Sequence, residues 1–555
     1  MLDLLIRNAL LVDGKGSKPR HGDLAVQGGL IRELGGKLAG PARETLDAGG
    51  LALMPGIIDN HTHYDAQVTW DPLLSPSPSL GVTTAIIGNC GFTIAPCRPA
   101  DRELVMRNLT QVEGMSLDVL RQGVRWSFQS IPEYLDFLET VRPAANVAAF
   151  AGHSGLRTYV MGEAATERAA TGPEILEMKA LLLEALRAGA VGFSTSTSPA
   201  HNGEGGKPMP SRLADERELR ELTGALRAAG RGTFMLTKGG HTAIPFLEEL
   251  SALSGRPVVI AALLHNSTNP DSVFKDLDLI RAANERGRRL LGAISCCPLS
   301  MDFTMRSPYV LEGLDSWKSA LPLKGDAFKR KLAEKAFREG IRAELSQPAH
   351  FRLFNGEWNK VEVVEARNKV LEGRTIHALS KENGKDPLDL MLDLALADDL
   401  DTVFNAMLLN SDEEAVGRML RHPASLVSLS DAGAHLTFFN DAGFGLHLLG
   451  HWVRRLGVLE LEQAVKKLTS EPAAVFGIRK RGVLEPGWHA DLMLFDPATV
   501  DRGPKQRVFD LPGGHPRLTT APVGVHGVWV NGERVAVDGA LTGARTGKLL
   551  RDFAP

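Results

Sequence analysis

Two histidines one residue apart close the segment "PGIIDNHTHYD", residues 55–65. Along an extended strand, residues i and i+2 face the same side, so His61 and His63 aim two imidazoles into one small space. That pair suits a metal ion, although an H-x-H taken alone fits two ordinary hydrogen-bonded histidines equally well. Other residues able to do chemistry stand in similar places, just after short apolar runs. They are Cys90 in "TTAIIGNCG", His153 in "NVAAFAGHS", Lys238 and His241 in "TFMLTKGGH", His265 in "VVIAALLHN", and Asp431 with His435 in "ASLVSLSDAGAH". Imidazole, thiolate and carboxylate are the usual donors to zinc.

What positions such residues is a repeated element. "GPEILEMKALLLEALRAGAVGFSTSTS" is an amphipathic helix pattern followed by a strand, and the scheme recurs in "ADERELRELTGALRAAGRGTFMLTKGG", "AIPFLEELSALSGRPVVIAALLHN" and "DLDLIRAANERGRRLLGAISCC". Helix-then-strand units with glycine at the helix end argue for parallel strands joined by crossover helices. With the strands before His61, Cys90, His153 and Asp431, the pattern predicts an α/β fold, a (β/α)8 TIM-like barrel spanning 56–479, with an insertion at about 298–424. In such a barrel the strand C-terminal ends share one face, where active sites lie. The ends of the chain differ in rhythm: "LLIRNALLVDGKG" and "VHGVWVNGERVAVDGAL" are short alternating strands broken by glycine turns. Neither end has enough strands to bury a face alone. Residues 1–55 and 480–555 are therefore expected to meet in one small β-sandwich domain.

The 555 residues carry 63 basic and 66 acidic side chains, a net charge of −3, with no long block of one sign. That balance favours neither nucleic acid nor an anionic membrane surface. Four cysteines are too few to staple a chain of this size, and the adjacent pair Cys296 and Cys297 makes a poor structural disulfide. "MLDLLIRNALLVDGKG" reads as a strand rather than a signal peptide, and no apolar run is long enough to span a bilayer. The expectation is a cytoplasmic protein that forms a homo-oligomer and acts on a small molecule.

"LMPGIIDNHTHYD", followed much later by "SLSDAGAH" and "GVLEPGWHADLMLFD", resembles the amidohydrolase superfamily. "GVTTAIIGNCGFTIAP", "AGHSGLR" and "VWVNGERVAVDGALTGARTGKLLR" are similar within it to the N-acyl-D-amino-acid deacylase (D-aminoacylase) family. The resemblance implies His61 and His63 as metal ligands, Cys90 as a thiolate ligand, and Asp431 as ligand and catalytic acid/base. It implies one or two Zn2+ ions, another divalent metal being possible, and hydrolysis of a C–N amide bond. The family also draws histidine ligands from strands five and six, where this chain has Thr237 and an alanine. Lys238, carboxylated and bridging, and His265 are candidates to complete the metal shell, and an ordinary ion-paired Lys238 is the competing reading. The basic residues that clasp a substrate carboxylate in the family are replaced here by Leu264 and "LTFFNDAGFGLH". His153, His241 and His435 are expected to face substrate. Two rival functions stay open: a cyclic amidase of the hydantoinase or dihydropyrimidinase kind, and a barrel protein without catalysis.

Overall fold

The computed structural model describes residues 1–349 and 352–554. Backbone contacts divide the chain into one unit of Met1–Leu263, Asp276–Cys296 and Met419–Pro555, and a second of Leu264–Lys275 and Cys297–Arg418.

The first unit contains an eight-stranded, all-parallel sheet. Its strands, in chain order, are β1 Ile57–Asp59, β2 Val82–Ile87, β3 Asn146–Gly152, β4 Gly192–Ser196, β5 Thr233–Thr237, β6 Val258–Leu263, β7 Leu290–Ile294 and β8 Ser425–Val427. Each hydrogen-bonds to its neighbours in sequence, so the spatial order is the chain order. "VTTAII" of β2 is buried throughout, as in a strand covered on both faces. Before β4 and β5 run the helices Gly172–Ala188 and Glu216–Ala229, which end at Gly189 and Gly230 in the left-handed conformation. Only glycine adopts that conformation without strain, so the chain turns back toward the sheet there.

The sheet curls until its first and last strands are stitched together. Asn60 Nδ2 donates to the Val427 carbonyl at 2.9 Å, and Thr62 forms a parallel bridge with Ala432. Beside it a nine-stranded sheet draws on both chain ends, with Ala52–Pro55 antiparallel to Leu492–Phe495. Its core packs Leu4, Ile6, Leu24 and Val26 with Leu492, Leu494 and Trp529.

The second unit is built on a three-stranded antiparallel sheet of Leu299–Phe303, Val403–Leu409 and Val361–Glu365. Trp317 is fully buried within it, against Phe328 and Phe337. His350 and Phe351, at the start of the stretch "HFRLFNGEWNKVEVV", lie outside the described residues. Among the described residues no helix is long and apolar enough to cross a membrane.

Candidate metal centre

The chain just past β1 is held on both sides. The Thr62 amide and hydroxyl both donate to the Ile86 carbonyl of β2, at 3.2 and 2.8 Å. On the other side the His63 amide donates to the Ala432 carbonyl at 2.8 Å, and the Asp431 amide donates to the His61 carbonyl at 3.2 Å. Thr62 therefore faces away, and strand alternation throws His61 and His63 to the same side, opposite Asp431. Cys90 arrives by a tighter route: between Gly88 and Gly91 it takes φ +56°, left-handed for a residue with a side chain. Asp431 and His435 also have positive φ, +47° and +55°. Such conformations cost about 1–3 kcal/mol each and persist where surrounding structure enforces them, commonly at functional sites.

The result is a close-packed set of donors. Cys90 Sγ lies 3.4 Å from His61 Nε2 and 4.0 Å from His63 Nε2. Asp431 Oδ1 lies 3.2 Å from His61 Nε2 and 3.6 Å from His63 Nε2. Ligands about 2.0–2.3 Å from a tetrahedral ion stand roughly 3.3–3.8 Å from one another, so the separations of 3.2, 3.4 and 3.6 Å are close to the edges of a zinc-sized shell and the 4.0 Å one is slightly wider. His61, His63 and Cys90 offer ligand atoms that all lie within 4.8 Å of one another. Burial alone would raise the Cys90 thiol, but the two histidines outweigh it and bring it down to about 7, within reach of the thiolate a metal takes. Burial likewise opposes ionisation of Asp431, and contact with His63 together with the charges of His61 and His63 holds it below the usual carboxylate range.

The donors form one wall of a cleft with about 340 Å3 of empty space, part of it open to solvent. Phe92, Val112, Ala262 and Leu429 supply apolar lining, and His201, Thr237 and His435 supply polar groups. Thr237, at the end of β5, brings its hydroxyl 3.1 Å from Cys90 Sγ. Burial holds both His201 and His435 neutral, His201 down at about 3.

The remaining candidates occupy other surroundings. Lys238 Nζ is ion-paired with Asp276 rather than with the thiol and imidazoles. His153 is fully buried, with Nε2 2.7 Å from Glu218 and Nδ1 2.8 Å from Thr195 Oγ1. His241 is exposed in the loop after β5. His265 belongs to the second unit, where its amide donates to Asn410 Oδ1 at 2.7 Å. Two site residues lay outside the sequence reading. His201 sits in the Ser/Thr/Pro loop "GFSTSTSPAHNG" after β4, where nothing but the loop's position pointed to it. Glu113 is buried with Oε1 3.1 Å from His63 Nδ1. It follows a helix rather than a strand, and its one signal is a carboxylate at the helix end whose dipole disfavours it.

Comparison with known proteins places the chain among amide hydrolases. A D-aminoacylase of Alcaligenes xylosoxydans xylosoxydans is 30% identical over 99% of this chain and 97% of its own length. An N-acyl-D-aspartate deacylase of the same organism is 31% identical over 99% of this chain and 95% of its own length. Among solved structures, the N-acyl-D-glutamate deacylase of Bordetella bronchiseptica, complexed with zinc and a phosphonate inhibitor, superposes with a TM-score of 0.66. That match has 26% identity and covers 99% of this chain and all of the other. The sequence profile of the amidohydrolase family matches residues 44–290 and 349–536, and the chain belongs to that family.

Proposed function

We propose that the protein is a metal-dependent hydrolase that cleaves the amide bond of N-acyl-D-amino acids. The observation that carries the reading is the convergence of His61 Nε2, His63 Nε2, Cys90 Sγ and Asp431 Oδ1 at ligand-to-ligand spacing on one cleft wall. The deacylases named above support the substrate class, and the zinc held by the Bordetella enzyme supports zinc as the ion. In this reading the curled sheet is a closed (β/α)8 barrel over 56–479, and residues 1–55 with 480–555 form its small β-domain.

His61, His63 and Cys90 would hold the ion, with Asp431 at its edge. When bound, such an ion polarises the scissile carbonyl and lowers the pKa of water toward about 7. Asp431, ionised beside the two imidazoles, takes the proton of the attacking water. It returns that proton to the leaving nitrogen as the C–N bond breaks, so one carboxylate serves as base and then as acid. Neutral His201 and His435 line the same cleft, and an imidazole N–H there can donate to the oxyanion that develops on the carbonyl oxygen. Phe92, Val112 and Leu429 give the acyl chain an apolar wall.

The test is a panel of N-acetyl amino acids in both configurations, together with hydantoins and dihydrouracil, with release of free amine or ring opening followed. Turnover of D-forms well above their L-counterparts is expected. Turnover confined to the cyclic amides, or none in the panel, would remove this assignment.

A further inference from the structure

Glu113 closes the helix Arg102–Val112, and its side chain is 4% exposed. From there it reaches two parts of the site at once. Its Oε1 lies 3.1 Å from His63 Nδ1, and its backbone carbonyl accepts the His435 amide. The next residue continues the contact. Gly114 has φ +60°, a Cβ placed on it would stand 2.9 Å from the His435 Cα, and its carbonyl accepts the Thr437 hydroxyl at 3.4 Å. The helix end is thus fitted closely against the loop that carries Asp431 and His435.

His63 has opposite duties for its two ring nitrogens. Nε2 faces Cys90 Sγ and Asp431 Oδ1. Nδ1 makes no hydrogen bond of regular geometry among the described residues, and the nearest group opposite it is the Glu113 carboxylate, whose Oε2 is likewise unpartnered. A neutral imidazole carries one proton, and a carboxylate accepts only. At 3.1 Å a small turn of the ring lets a proton on Nδ1 reach Glu113, which leaves the Nε2 lone pair free to bind a cation.

We propose that Glu113 is a positioning residue that fixes His63 in its Nδ1–H tautomer, sets the ring's orientation and raises the affinity of the site for zinc. The inference rests on the proposed metal-dependent reading. Carboxylate partners of metal-binding histidines act this way in general, and their loss costs about 10–100-fold in metal affinity.

The experiment compares zinc binding by chelator competition in the full-length wild type and in Glu113→Gln, Glu113→Ala and Glu113→Asp. Circular dichroism and urea midpoints serve as fold controls. The Gln and Ala variants should bind zinc about 10–100-fold more weakly, and Asp should recover part of the loss. Nitrogen-15 spectra of histidine-labelled wild type, assigned with His63→Asn, should show a protonated Nδ1 on His63. That signal should give way to a tautomer mixture in Glu113→Ala. A purely structural glutamate would leave the tautomer unmoved. Should Ala fail to fold, the isosteric Gln decides. Variants binding zinc within threefold of wild type with the tautomer unchanged overturn the role of Glu113 and leave the metal site standing. A wild type that takes up no zinc overturns the metal reading and this inference with it.

Discussion

Asp431 faces His61 Nε2 at 3.2 Å and His63 Nε2 at 3.6 Å, and its side chain keeps 22% exposure toward the cleft. It is the one group of the cluster placed both to face the two imidazoles and to reach the open side of the cleft, where the proposed reaction needs a proton exchanged with substrate. Asp431→Asn preserves its size and removes its basicity, so fold and metal content should survive while kcat falls by about three orders of magnitude or more. Stopped assays with metal analysis of the same sample check this, and turnover within tenfold of wild type removes Asp431 from the proton path. At this scale the sequence was most legible where residue type and spacing suffice. That His61 and His63 face the same side followed from strand alternation alone, and the place of Asp431 from the apolar run before it. Lys238 shows where that logic stops. Its amide still donates to Ala261 of β6, so the ladder runs one residue past Thr237. Alternation turns Thr237 toward Cys90 and Lys238 the other way, to Asp276.

The elements deliver these residues through backbone turns that composition does not advertise. β1 and the segment after β8 lie side by side, and Gly433 marks where they pass closest. Its φ is +93°, and a Cβ there would stand 2.7 Å from the His63 carbonyl carbon and oxygen. Gly433→Ala should push the Asp431–His435 segment away from the histidines. A displacement of about 1 Å at a reacting centre costs on the order of 100-fold, so kcat/KM should fall by roughly that factor with little change in far-UV circular dichroism. A variant within twofold of wild type would show that this loop yields without disturbing the site. The parallel strands were legible because buried apolar runs alternate with amphipathic helices in a fixed rhythm. The left-handed backbone of Cys90 and Asp431, the loop placing of His201 and the helix-end placing of Glu113 were not. Each depends on long-range packing, which leaves no periodicity behind. His265 illustrates the same limit: it follows β6 by two residues, and by then the chain has entered the second unit.

At the scale of the whole molecule, one buried ion pair ties the terminal strands to the curled sheet. Arg481 and Asp491 are each 3% exposed and paired. Asp491 also accepts the Asn531 amide at 2.7 Å and Asn146 Nδ2 at 3.1 Å. Asn146 opens β3, and Asn531 with Gly532 makes the turn between Val525–Val530 and Glu533–Val537. Asp491→Ala would strand a buried guanidinium, so it should lower unfolding free energy by about 3–5 kcal/mol, read from urea denaturation. A loss under about 1 kcal/mol would mean that the two sheets are held together elsewhere. In the proposed reaction a metal held by His61, His63 and Cys90 is required for hydrolysis, and a metal titration decides whether it is. Protein stripped with chelator is returned to known amounts of zinc, and hydrolysis of the best N-acyl-D-amino acid is measured at each level of bound metal. Turnover should be negligible when stripped and rise in step with occupancy, and the rise should be absent from the His61→Asn, His63→Asn double variant. Full turnover by the metal-free protein, or zinc-dependent turnover retained by the double variant, would contradict that requirement.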